Sequence, residues 1–263
     1  MKFALITGGS SGIGAEYARS LAARGHNIII VSNQAEAGKN LADRLAEQYG
    51  VVARALYADL AQPDSAQMLY NQCREWGVEI DVLISNAGVL HFGRALKAEP
   101  QYIDFITALH VTTPMKLCRL FGADMCARGC GRILIMSSLA AWTPYPTMSL
   151  YGSTKVALKS YGQSLWYELR GTGVSVTTVF PGAVDTPLYK LADSRRRLLR
   201  SLGLMMSPEE VVRKALRAMF RARRRCIPGL FAKIAICGCK ILPARALLLI
   251  MRIPAIKRIL DNL

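Results

Sequence analysis

The chain has 263 residues, 52% of them apolar, which assures a buried core and fits one large α/β domain rather than a chain too polar to fold. Its formal net charge of +16 suggests nucleic acid or an anionic membrane, but the charge sits at one end. Residues 190–263 hold 18 Lys/Arg against 4 Asp/Glu, whereas residues 1–189 hold 16 against 14, so the bulk of the protein is nearly neutral.

The apolar opening Met1 to Ile6 turns at once into Thr7-Gly8, too short for the apolar core of a signal peptide, and reads as a strand from Phe3 to Ile6. Behind it, Thr7-Gly8-Gly9-Ser10-Ser11-Gly12-Ile13-Gly14 has the spacing Gly-x3-Gly-x-Gly and opens a helix. Such a turn lets a pyrophosphate meet free backbone N–H groups, with Gly14 letting the helix lie close to the sheet; an ordinary strand-to-helix turn is the plainer alternative.

A second strand, Asn27 to Val31, ends at Ser32-Asn33-Gln34. An acid here would accept from the ribose hydroxyls and repel a 2′-phosphate; none is present, and neither is the arginine that would clamp the phosphate. Asn33 is thus expected beside NADP(H), with NAD(H) as the alternative cofactor. After a third strand, Val51 to Tyr57, Asp59-Leu60 is placed at the adenine, and after a fourth, Val82 to Ser85, Asn86-Ala87-Gly88 is placed to line the cofactor. His91 and Phe92 follow and border the substrate in this reading.

The fifth strand, Arg132 to Met136, leads to Ser138, which can hydrogen-bond a substrate oxygen. Tyr151 and Lys155 are four apart and share one helix face. A tyrosine with a pKa of about 10 is a poor acid–base catalyst, but a neighbouring ammonium and an oxidised nicotinamide both favour the phenolate. The run Leu139 to Leu150, with Leu188, Tyr189, Leu202, Leu204, Met205 and Met206, suggests an apolar substrate or else ordinary core. The sixth strand is Val174 to Val179. Continuous apolarity in all six strands implies a doubly wound parallel sheet with ligand at the carboxyl ends.

Thr186 to Met206 reads as a loop or short helix pair overhanging that site, and Ser207-Pro208-Glu209-Glu210 as a capped helix start. From Pro228 the chain is apolar with Lys233, Lys240, Arg245, Arg252, Lys257 and Arg258, divided by Pro243 and Pro254. No run reaches the ~18 apolar residues of a spanning helix. The preferred reading of residues 229–263 is a basic amphipathic anchor on a membrane surface; packing on the domain or on a second subunit is the alternative. Basic clusters at Arg195–Arg197 and Arg221–Arg225 lack interleaved aromatics, so no nucleic-acid partner is expected. Seven cysteines and no leader imply reduced thiols and a cytoplasmic protein. Their spacing, with no second pair and no nearby histidine, implies no metal.

In Thr7-Gly8-x3-Gly12-Ile13-Gly14, Asn86-Ala87-Gly88, Ser138 thirteen residues before Tyr151, Tyr151-x3-Lys155, and Pro181-Gly182 with Thr186, the chain resembles the short-chain dehydrogenase/reductase family from Lys2 to about Pro228. The resemblance implies a Rossmann domain over residues 1–228, about seven parallel strands with helices on both faces, and NAD(P)-dependent hydride transfer at a carbonyl or alcohol. It implies Ser138 as substrate-orienting residue, Tyr151 as proton donor and acceptor, and Lys155 as ribose ligand and pKa modulator. Thr186 and the backbone near Val184, beside Pro181 and Gly182, would contact the carboxamide, and the assembly would be a homodimer or homotetramer. Among members, the chain is similar to membrane-associated reductases of 3-oxoacyl-CoA, 3-ketosphinganine and 17β-hydroxysteroid type.

One position departs from the family. Where an asparagine usually holds a water linking the lysine to solvent stands His110, either a relay that titrates near its ordinary pKa of about 6.5 or a histidine that only packs. It is the one feature that favours a non-catalytic dinucleotide-binding protein.

Overall fold

The structure, a computed structural model, describes residues 2–143, 145–188 and 193–241. In chain order its elements are β1 (Lys2–Thr7), α1 (Gly12–Ala22), β2 (Asn27–Ser32), α2 (Ala35–Tyr49), β3 (Ala53–Tyr57), α3 (Ser65–Glu75), β4 (Glu79–Ser85), α4 (Pro100–Thr107), α5 (Thr113–Ala127), β5 (Gly131–Met136), α6 (Ser149–Glu168) and β6 (Val174–Val179). There follow β7 (Ala183–Val184), α7 (Asp193–Ser201), β8 (Met205–Met206), α8 (Pro208–Phe220), β9 (Arg225–Cys226) and α9 (Leu230–Ile241). A widened π turn, Ala108–Thr112, joins α4 to α5.

Seven strands form one parallel sheet in the order β3-β2-β1-β4-β5-β6-β9. Alternation along β1 divides the core: Ala4 and Ile6 pack with residues of α1, α2 and α8, and Phe3 and Leu5 with residues of α3, α5 and α6. Both faces are apolar because both are covered, which is why these strands read as continuous rather than alternating runs. The strand order reverses between β1 and β4, and there the connections leave in opposite directions and open a crevice at the carboxyl ends. The doubly wound sheet expected from the sequence is the sheet observed.

Several boundaries differ from expectation, the fourth strand opening at Glu79 rather than Val82. The third strand starts at Ala53, not Val51: Gly50 ends α2 at φ +65°, Val52 N–H donates to Asn27 Oδ1, and Ile28 pairs from Ala53 onward. The segment read as a loop or helix pair over the site is tied down by a small ladder, with Val184 opposite Met206 and Asp185 N–H donating to the Met206 carbonyl at 2.8 Å. Asp185 also meets Arg196 at 3.5 Å and Arg200 at 3.4 Å, so two of the arginines of α7 serve this strap.

Ala232 and Ile236 of α9 pack on Leu139, next to Ser138. The remainder of the basic tail, 242–263, lies outside the described residues, as does Tyr189. All seven cysteines are free thiols. No helix among the described residues is long and apolar enough to cross a membrane.

The helix α8 starts where Ser207 Oγ accepts from Glu210 N–H at 3.3 Å, with Pro208 in its first turn. Ser207→Ala is expected to lower the unfolding free energy by about 1 kcal/mol, read from the denaturant midpoint at unchanged slope.

Candidate active site

The crevice is a cleft of about 480 Å³ at the carboxyl ends of the central strands. Its floor is the turn between β1 and α1. Gly8 has φ +64°, and a Cβ there would stand 2.8 Å from Ala87 Cα; at Gly14 it would stand 2.0 Å from the Gly8 carbonyl oxygen. Glycine is therefore demanded by packing as well as by conformation. No side chain caps α1, since Ser11 makes no capping hydrogen bond, so first-turn N–H groups remain for an anion.

Thr7 and Asn86 lock this turn to its neighbour across the strand switch. Thr7 Oγ1 accepts from the N–H groups of Asn86 at 2.9 Å and Ala87 at 3.0 Å, while Asn86 Nδ2 donates to the Thr7 carbonyl at 3.0 Å. Asn86 thus holds the loop with its amide and lines the cleft beside Ala87 and Gly88. At the end of β2, Ser10 Oγ lies 2.8 Å from Ser32 Oγ and donates to Gln34 Oε1 at 3.1 Å, a neutral cluster beside Asn33. Asp59 and Leu60 complete this end of the cleft. Hydrogen bonds from the Gln62 side chain and the Ala61 N–H hold the Asp59 carboxyl below the usual range. At the other end Pro181, Gly182, Val184 and Thr186 line the wall with Ser11 and Ile13 opposite, and the Thr186 methyl stands 3.3 Å from where Gly12 would carry a Cβ. The cradle that side chains would fill, the open helix terminus and the neutral polar rim fit a dinucleotide.

Ser138, Tyr151 and Lys155 meet on one wall of the same cleft. Ser138 follows β5, and its hydroxyl bonds the Tyr151 phenol. Burial raises the Tyr151 pKa, and the bond to Ser138 offsets only part of that. The sequence reading had the neighbouring ammonium favouring the phenolate; in the structure burial wins. Lys155 Nζ lies 5.5 Å from the centroid of the Tyr151 ring. Lys155 is 5% exposed, donates to the Met136 carbonyl at 3.3 Å, and burial lowers its pKa to about 8. The arrangement can present a neutral phenol to an oxygen and stabilise the anion left behind.

His110 is fully buried, where burial first and the Lys155 charge second lower its pKa to about 2. Its Nε2 accepts from Val89 N–H at 2.9 Å and its Nδ1 lies 2.9 Å from Thr154 Oγ1. A relay titrating near neutrality does not fit this site, because the charged form would be stranded away from water beside a second cation.

The apolar wall matches expectation at Leu188 and differs elsewhere. Leu90, Phe105, Leu109 and Leu188 line the cleft, while Leu139, Ala140 and Ala141 are core and Leu202 is 61% exposed. His91 stacks on Tyr102 at 4.4 Å. Sequence reasoning missed Phe105, Leu109, Thr154 and Ser137, whose hydroxyl donates to the Lys155 carbonyl at 2.8 Å. The helical spacing of Phe105 and Leu109 was the available signal for the first two. Among the described residues no group of three acids, histidines or cysteines is placed to hold a metal.

The family model described as short chain dehydrogenase matches residues 2–197. The chain is 36% identical over 186 residues to "Uncharacterized oxidoreductase YmfI" of Bacillus subtilis, covering 70% of this chain and 76% of that one. It is 30% identical over 202 residues to the very-long-chain 3-oxoacyl-CoA reductase of Anas platyrhynchos, covering 72% of this chain and 62% of the reductase. Among solved structures, the short-chain dehydrogenase from Sphingobium yanoikuyae in complex with NADPH aligns with a TM-score of 0.79 at 31% identity over 97% of this chain and 98% of that one.

His110 supplies a pH signature. Its folded pKa lies below its unfolded value, so below about pH 6.5 the unfolded chain binds the extra proton and stability is lost as pH falls, by about 1.4 kcal/mol per pH unit from this group. Denaturant titrations between pH 6.5 and 4.5 should show a shallower loss in His110→Asn than in the parent; equal slopes would contradict a buried neutral imidazole.

Proposed function

We propose, from the fact that this chain belongs to the short-chain dehydrogenase family and is an oxidoreductase, that it reduces a ketone on a lipophilic molecule with NADPH, at Ser138, Tyr151 and Lys155. The observation that carries the reading is the meeting of Ser138, Tyr151 and Lys155 on one wall of the cleft, where the phenol can give a proton to a nascent alkoxide. A substrate panel of long-chain 3-oxoacyl thioesters, 3-ketosphinganine and oxosteroids covers the class. The very-long-chain 3-oxoacyl-CoA reductase among the relatives and the lining of Leu90, Phe105, Leu109 and Leu188 support an apolar chain beside the carbonyl.

NADPH, when bound, supplies hydride to the carbonyl carbon. Ser138 donates a hydrogen bond to the carbonyl oxygen and fixes the ketone. Tyr151 breaks its phenolic O–H bond as the new alcohol O–H forms, and solvent returns the proton to the phenolate. Lys155, still an ammonium at neutral pH with a pKa of about 8, stabilises the phenolate from within the wall. Thr7, Gly8, Ser10 to Gly14, Asn33, Asp59, Leu60, Asn86 to Gly88, Pro181, Gly182, Val184 and Thr186 hold the dinucleotide. The absence of an acid at Ser32-Asn33-Gln34 supports NADPH over NADH, as does the NADPH complex of the Sphingobium relative. The non-catalytic reading rested on His110 alone, and a histidine that braces the tyrosine helix removes its support.

The protein works as a homodimer or homotetramer on the cytoplasmic face of a membrane. The segment 229–263 is the anchor. Exposed Leu230 and Ile234 beside Lys233 begin it on α9, a cationic edge next to apolar side chains.

Purified protein with the panel should oxidise NADPH, and Tyr151→Phe should lower kcat by about 10³-fold or more while still binding NADPH. Equal turnover by the two proteins would refute the mechanism. Ending the chain after Ile241 keeps Ala232 and Ile236 on Leu139 and should weaken flotation with anionic phospholipid vesicles, and adding Leu230→Ser, Lys233→Glu and Ile234→Ser should abolish it; undiminished flotation of the combined variant excludes the anchor.

A further inference from the structure

Buried between the tyrosine helix and the Asn86-Ala87-Gly88 turn is a chain of hydrogen bonds whose direction is fixed at every step. The Val89 N–H has only a proton to offer, so His110 Nε2, 2.9 Å away, is the acceptor and carries no hydrogen. The proton of the neutral ring is then on Nδ1, and Thr154 Oγ1 at 2.9 Å accepts it. The Thr154 hydroxyl spends its own hydrogen on the Tyr151 carbonyl at 2.8 Å. A helical threonine often bonds a carbonyl one turn back. Here that ordinary bond is made part of a bridge that spans 44 residues of sequence between His110 of the π turn and Thr154 and ends on the Tyr151 carbonyl.

The backbone is shaped to deliver the ring. Ala108–Thr112 is a π turn set between two helical segments, and such turns carry an extra residue outward where a site needs it. The space is closed to anything else. A Cβ on Gly88 would stand 2.9 Å from His110 Nε2 and 3.6 Å from Lys155 Nζ, and the ring meets Tyr151 edge-on at 5.7 Å and 81°.

We infer that His110 and Thr154 are positioning residues: a neutral imidazole strut that sets Tyr151 at a fixed height against the Gly88–Val89 turn. The strut does not move a proton. It does what a water-holding asparagine would not, because it joins the two walls of the cleft by direct bonds, one wall carrying the phenol and the other lining the dinucleotide cradle. The strut's role in turnover rests on Tyr151 being the acid of the proposed reduction; the geometry itself does not.

The test uses the full chain, labelled on its three histidines and its tyrosines, with Thr154→Val and Thr154→Ser as variants that keep the size of the side chain or its hydroxyl. Long-range ¹⁵N spectra of the parent should show one histidine locked with its proton on Nδ1 and unchanged from pH 5 to pH 8. Thr154→Val should shift the Tyr151 ¹³Cζ resonance, identified by its loss in Tyr151→Phe, and speed exchange of the Val89 amide; Thr154→Ser should restore both. In turnover, Thr154→Val should lower kcat about tenfold with the KM for NADPH changed less than about twofold, and Thr154→Ser should recover most of it. A proton on Nε2, or a Tyr151 resonance and Val89 exchange indifferent to Thr154→Val, overturns the strut. Parent-level kcat in a folded Thr154→Val confines it to stability and overturns the positioning role. A parent chain that turns over no ketone defeats the proposed reaction instead, and the tautomer, resonance and exchange results still decide the strut.

Discussion

Lys155 is the constraint from which the rest of the cleft follows. An ammonium that is 5% exposed, with one hydrogen bond to the Met136 carbonyl at 3.3 Å, has given up most of its hydration for little return. That burial lowers its pKa to about 8. A ligand bringing oxygen acceptors to the ammonium would restore part of what was lost, which couples polar-ligand binding to the charged state of the lysine. Such a group is tolerable only in a rigid wall, and the doubly wound sheet with both faces covered provides one.

The same burial acts on three neighbouring groups with different consequences. It keeps Tyr151 a phenol, keeps His110 a neutral imidazole, and leaves Lys155 charged at neutral pH by a small margin. One cation, one acid and one neutral brace therefore occupy a small volume without a compensating carboxylate among them. Side-chain hydroxyls supply the order: Ser137 to the Lys155 carbonyl, Thr154 to the Tyr151 carbonyl, Ser138 to the phenol. Ser137 and Ser138 tie helix α6 to the end of β5, and Thr154 ties it through His110 to the Gly88–Val89 turn, so the tyrosine and the lysine are held as a unit.

Much of this was legible in the sequence because it is local. The strand runs, the glycine spacing and the four-residue step from Tyr151 to Lys155 depend on periods that a reader can count. The departures come from contacts distant in sequence. The state of His110 is set by Val89, Thr154 and Lys155, at separations no pattern records. The Tyr151 shift depended on depth of burial, which a helical face does not report. Asp185 reads as a loop acid until its arginines on α7 are seen beside it. Leu139, Ala140 and Ala141 are core, and the cleft takes its apolar wall from Leu90, Phe105 and Leu109 beside the expected Leu188, because two apolar stripes in one sheet protein look alike until they are folded.

Ionisation of the Tyr151 phenol goes to the centre of the account. With tyrosine labelled at ¹³Cζ, its resonance can be titrated from pH 6 upward in the chain alone, with saturating NADP⁺, and in Lys155→Met. The phenol should ionise above the ordinary tyrosine value in the chain alone, well below it with NADP⁺, and back near the higher value in Lys155→Met with NADP⁺. A phenol whose ionisation ignores both the dinucleotide and the lysine would contradict this.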